Sequence, residues 1–346
     1  MHFREIFAFD VVHGGLPWPW ITFASGGVRF AALTKDRTIT AWLVEGETVR
    51  ETATFALPEE AHVPTKPTGP DVTPRGLVAF ALGGTGTLLA TLVEGDGGSH
   101  VAVRDATTER ARIDVVSRFG VGHVARAIAF DRRGTRIWLA LEGPTETVVA
   151  LLDAGTLAIV GEARSAAFPR PSLHELHVHP VDDAVLLLAA CGEDGTFGRV
   201  VGFAGDTVSP VPGALDTGSV SAGFVGYSAR GARVFLAEAD EIRTHAWPGM
   251  EELASVHLAD EFVSSYAGAV VGDVVLVDGE DVDSQEDAVM QFDVSATVGH
   301  VIRGVVPAGM WAGRVGERGI VTVGAKGDPS EGRVHWTSES VRRVVH

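Results

Sequence analysis

The residues best suited to chemistry lie in SLHELHVHP, which starts at Ser172 and holds His174, Glu175, His177 and His179. On a β-strand successive side chains point to opposite faces, so Glu175, His177 and His179 share one face and His174 takes the other. Two imidazoles at i and i+2 beside a carboxylate are residue types that suit zinc or iron, which makes Glu175, His177 and His179 candidate metal ligands. Histidines at a strand end can equally hydrogen-bond to a neighbouring sheet, and the sequence leaves both readings open. No G-x-S-x-G elbow, G-x-x-x-x-G-K phosphate loop or H-E-x-x-H stretch occurs, and no cofactor is expected. Cys191 is the single cysteine, which excludes an internal disulfide framework. With Glu193 and Asp194 beside it, its thiol is expected to be unreactive.

The second constellation is acidic. DGEDVDSQED packs Asp278, Glu280, Asp281, Asp283, Glu286 and Asp287 into ten residues, and further acids stand at Glu193, Asp194, Asp240 and Glu241. The spacing does not fit an EF-hand loop, which wants acids at positions one, three and five, Gly at six and Glu at twelve. Crowded carboxylates repel one another by about 0.5 to 1 kcal/mol per close exposed pair, and a basic partner would relieve that. The whole chain carries 28 Lys and Arg against 45 Asp and Glu, a formal charge of −17. Such a field opposes polyanions, so nucleic acid is excluded as an expected partner and a basic or Arg-rich protein segment is favoured.

What must position these residues is a repeat. Seven β-rich segments end alike, around Trp42, Arg104, Leu152, Phe203, Trp247, Phe292 and Trp336, at intervals of 44 to 62 residues. Each follows a Gly- or Asp-rich turn and an apolar run such as RIWLALE, AVLLLAA or RVFLAEA, the pattern of a strand covered on both faces. Four antiparallel strands per unit make one propeller blade. The fold class is therefore all-β, a seven-bladed β-propeller of four-stranded antiparallel blades. The blades fall at approximately 19–57, 77–116, 123–163, 172–212, 219–258, 262–303 and 307–346, within one domain over 1–346. The strand-like segment 3–12 joins the last blade and closes the ring, although VRRVV at 341–345 could also supply an outer strand. The long interval reflects a Pro-rich loop at 57–76.

This pattern resembles the WD-repeat and related bacterial seven-bladed β-propellers over nearly the whole chain. The clearest stretch is GHVARAIAFDRRGTRIWLAL, where Gly122-His123 stands at that family's Gly-His pair, while Arg104-Asp105 and Phe292-Asp293 stand at its Trp-Asp. The resemblance implies a protein-interaction scaffold. The alternative, by analogy with propeller lactonases, is a metal-dependent hydrolase or lyase at the central channel.

In a four-stranded blade the turns between strands two and three all lie at one end of the disc. Those turns hold eighteen acids against Lys35, Arg37 and Lys326, so an acidic rim is expected that docks a basic partner. With Arg4, Glu5 and Asp10 near the start and no run of about 18 apolar residues, the chain is expected to be cytoplasmic, without a membrane partner, and monomeric unless in a complex. The aromatic run PWPW at 17–20 is read as packing for the first blade.

Overall fold

A computed structural model describes residues 3–12, 20–24, 27–35, 37–61, 76–169, 171, 173–218, 220–258, 260, 262–272, 274–285, 287–293, 300–302, 311–324 and 330–337. Seven four-stranded antiparallel sheets surround one axis. Their innermost strands are Ile21–Phe23, Gly76–Leu82, Val124–Phe130, Leu173–Val178, Gly223–Tyr227, Phe262–Val271 and Trp311–Val315 in blades 1 to 7. In blades 1 to 6 the four strands follow one another in sequence from the axis outward. Blade 7 differs: its three C-terminal strands are completed at the outside by Arg4–Asp10, which pairs with Glu331–Trp336. The ring is thus closed by the two ends of the chain. Residues 338–346, including VRRVV, lie outside the described residues, as do 62–75 of the Pro-rich loop.

The apolar second strands explain why this closes into a solid disc. In blade 3, Ile137, Leu139 and Leu141 pack into a cluster shared with blade 2, whereas the alternating Trp138 and Ala140 pack toward blade 4. Blade 4 repeats the division, with Val185, Leu187 and Ala189 toward blade 3 and Leu186 and Leu188 toward blade 5. Both faces are dry, so the run reads as continuously apolar rather than alternating. Each fully buried Leu or Ile in these strands contributes about 1.5 to 3 kcal/mol relative to exposure. Among the described residues each blade supplies apolar side chains to a buried cluster on both sides.

Of the residues read as a WD-like signature, His123 is buried and its Nε2 lies 3.3 Å from Glu146 Oε1 at the start of the third strand of the same blade. Asp105 instead closes its own turn, accepting from the Thr107 and Thr108 backbone N–H at 2.9 and 2.8 Å. Trp20, the described end of PWPW, stacks on Phe80 of blade 2 and so packs the first seam.

Candidate functional site

The strand Leu173–Val178 brings the histidines to the seam between blades 4 and 5, and the structure separates their fates. His179 is 1% exposed. Its Nδ1 accepts from the Asp182 backbone N–H at 2.8 Å, and its Nε2 donates to the Gly231 carbonyl of blade 5 at 2.9 Å. The ring lies flat on Trp247 at 4.3 Å, whose Nε1 donates to Asp182 at 2.8 Å. With both ring nitrogens engaged, His179 has no lone pair to give a metal, and burial lowers its pKa. Gly231 sits at φ +73°, and a Cβ there would fall 2.3 Å from the His179 ring. The histidine–glycine fit thus admits no side chain. His179 is thus an interblade hydrogen-bonding group, the other role its strand-end position allowed, and among the described residues no three His, Cys, Asp or Glu gather to hold an ion.

His177 sits differently. Its Nε2 donates to Glu175 Oε2 at 2.8 Å, and its ring stacks on Phe224 of blade 5 at 3.7 Å. Tyr227 donates its hydroxyl to the His177 carbonyl at 2.9 Å and meets the His179 ring edge-on. His174, on the opposite face, is buried against Phe168 and burial pushes its pKa down to about 4. Cys191 is also buried, and burial with the nearby Asp194 and Glu142 carboxylates pushes its thiol up to about 11.

Glu175 and His177 line a cavity of about 770 Å³ formed by all seven innermost strands. Before the final paired residue of each innermost strand stand Thr22, Ala81, Ala129, His177, Gly226, Val270 and Arg314. All seven line the cavity, so they form one level of the channel. Four are small or aliphatic. The sequence reading missed Arg314, Phe224 and Tyr227; superimposing the seven strand ends would have exposed Arg314 as the one cation at a position otherwise uncharged apart from a histidine.

The acids expected to form a rim depart from that expectation in two ways. Asp278 does not stand in a loop: it lies within the strand Val274–Asp281, is 5% exposed, and accepts from Ser265 Oγ at 2.7 Å. Asp281 is 3% exposed and accepts from the Ser284 N–H at 2.9 Å. The strand runs on to Asp281 because Glu280 still pairs with Asp287, which leaves only a short turn between them. Glu280 and Asp283 are exposed; Glu286 and the Asp287 side chain lie outside the described residues.

The second change is compensation by arginines borne on strands. Glu142 pairs with Arg126 at 2.8 Å, Glu146 with Arg164 at 2.6 Å and Glu331 with Arg333 at 2.7 Å. In blade 5, Arg243 meets Glu241 at 2.5 Å and the buried Glu238 at 3.0 Å. Burial and a shared hydrogen bond with Glu241 raise the Glu238 pKa to about 7. Glu193, Asp194, Asp240, Glu280 and Asp283 form no ion pair among the described residues, and all five are exposed on blades 4, 5 and 6.

Among the described residues no helix is long and apolar enough to cross a membrane. No protein-family model matches the sequence, and no curated protein matches it. Among solved structures, the β-propeller domain of Myceliophteria thermophila Cps50 (Swd1) superimposes with a TM-score of 0.60 at 10% identity, over 97% of this chain and all of that one. Hydrazine synthase from Kuenenia stuttgartiensis superimposes with a TM-score of 0.62 at 14% identity, over 95% of this chain and 98% of that chain. At such identities the likeness is one of fold, and the chain is a seven-bladed β-propeller.

Proposed function

We propose that the protein is a noncatalytic interaction platform whose acidic end docks a basic or Arg-rich protein segment over blades 4 to 6. The observation that carries this is the uneven neutralisation of the rim. Arginines borne on strands compensate Glu142, Glu146, Glu241 and Glu331, whereas Glu193, Asp194, Asp240, Glu280 and Asp283 keep their charge facing solvent on three adjoining blades. Carboxylates exposed on a rigid disc of charge −17 steer cations and fix register at little cost to folding. The likeness to the Swd1 propeller accords with a scaffold, but the same fold occurs in hydrazine synthase, so fold by itself favours neither role.

The test is fluorescence anisotropy with a labelled nona-arginine peptide. The triple variant Asp240→Asn, Glu280→Gln, Asp283→Asn is expected to weaken binding several-fold and to flatten its salt dependence. The comparison variant Asp206→Asn, Glu251→Gln, Glu317→Gln removes equal charge from exposed turns at the opposite end. Equal losses in the two variants would reduce the effect to net charge and overturn sector docking.

A further inference from the structure

We infer that the axial channel is a receptor site for a small organic carboxylate with a flat apolar body, held by Arg314. The cavity of about 770 Å³ lies within the range of small-molecule sites, which are largely apolar with a few placed polar groups. Among the described residues its charged lining consists of Arg132, Glu175, His177 and Arg314. Three of these are already committed. Arg132 pairs with Asp183 at 2.7 Å, and Glu175 with His177 at 2.8 Å.

Arg314 is the exception. It is half-buried, its Nε donates to the Gly316 carbonyl at 2.7 Å, and its guanidinium forms no ion pair with a carboxylate among the described residues. A guanidinium held by one backbone bond keeps its terminal N–H groups for a planar, two-oxygen acceptor, the geometry a carboxylate matches. On a chain of charge −17 the two guanidiniums of the channel wall, Arg132 and Arg314, stand against Glu175 and the Asp183 partner of Arg132, so the described wall is locally near neutral.

The surroundings define the rest of the ligand. At the level of Arg314, Ala81, Ala129 and Gly226 leave room where larger side chains would fill the axis. Phe23, Phe130 and Phe224 supply ring surfaces nearby, and Phe224 is pinned by its stack on His177. His177 stands at the same level three blades away, so the carboxylate end belongs at blade 7 and the body extends toward the aromatic wall of blades 4 and 5. This site is independent of the rim.

Titration calorimetry on the full chain tests it with benzoate, benzamide and inorganic phosphate. Benzoate is expected to bind saturably, with benzamide, its neutral isostere, at least about tenfold weaker, since a charge-assisted bidentate pair outweighs a neutral one by that much or more. Arg314→Met is expected to lower benzoate affinity at least about tenfold while leaving nona-arginine binding unchanged. No saturable benzoate heat, benzamide binding equal to benzoate, phosphate binding as tight as benzoate, or an Arg314→Met protein that binds normally would each overturn the assignment. Should Arg314→Met fail to fold, the benzoate and benzamide comparison on the unaltered protein still decides.

Discussion

The seam between blades 2 and 3 and the seam between blades 4 and 5 solve the same problem with different chemistry. The first is mainly aliphatic, with Leu92, Val101, Val115, Ile128, Leu139 and Leu141 in one dry cluster that Phe119 and Phe130 join. The second adds oriented rings to its aliphatic base: His177 on Phe224, His179 on Trp247, and Tyr227 bonded to the His177 backbone. Aliphatic packing is non-directional and tolerates small rotations. Rings whose N–H and O–H groups have partners fix the angle between two blades, and at this seam His177, Phe224 and Tyr227 also line the channel. At this seam oriented polar geometry borders the channel, whereas the seam between blades 2 and 3 relies mainly on apolar packing.

The contrast can be broken experimentally. The largest stability loss is expected in the aliphatic seam: Leu139→Ala leaves a cavity where Leu139 was 0% exposed and should cost about 3 kcal/mol in denaturant unfolding. Equal loss on truncating an exposed side chain would sink the view that this seam holds the disc. In the ring seam, His179→Phe keeps the stack on Trp247 but leaves the Gly231 carbonyl and the Asp182 N–H unpaired, for an expected loss of about 2 kcal/mol. Tyr227→Phe removes one hydrogen bond and should cost about 1 kcal/mol; a neutral result would mean that burial alone orients the ring.

Titration separates the regions further. His174 has a folded pKa of about 4, below the 6.5 of an unfolded histidine, so the unfolded chain takes up the proton first. Stability is complete above about pH 6.5 and falls as pH drops toward 4. Melting temperatures across that window should decline less steeply in His174→Phe. Glu238 behaves oppositely. Its folded pKa of about 7 exceeds the ordinary 4.5, so its contribution is present below pH 4.5 and is lost as pH rises through 7. Glu238→Gln should therefore gain stability at pH 8 relative to the parent and little at pH 4.5. Smallest of all, Asp240→Asn should change stability by less than about 0.5 kcal/mol, since the side chain is exposed and unpaired among the described residues.

Much of the architecture was legible because strand period and turn spacing survive the loss of any single motif. RIWLALE and AVLLLAA announce strands dry on both faces, and the structure divides their residues between two neighbouring seams. The interblade role of His179 was one of the two readings its strand-end position allowed, and the hydrogen bond to Gly231 selects it. The rim was less legible. Counting acids in turns ignored Arg126, Arg164, Arg243 and Arg333, which sit on strands and reach into those turns from positions the one-dimensional count assigned elsewhere. Asp278 was misplaced because a hydrophilic decapeptide reads as loop even when cross-strand pairing extends into it. Arg314 was hidden for another reason: its importance comes from where three distant strands converge.

Placing the opening strand on the final blade ties folding to the order of synthesis. Arg333 bonds to Glu5 across 328 positions of chain, a contact of very high sequence separation. The segment Arg4–Asp10 leaves the ribosome more than 300 residues before Glu331–Trp336, its mate, is made. Throughout that interval it is a lone β-edge able to recruit foreign strands, and its final docking carries a large loop-closure entropy. Nascent chains of this protein are therefore most exposed to mispairing just before their last blade is complete.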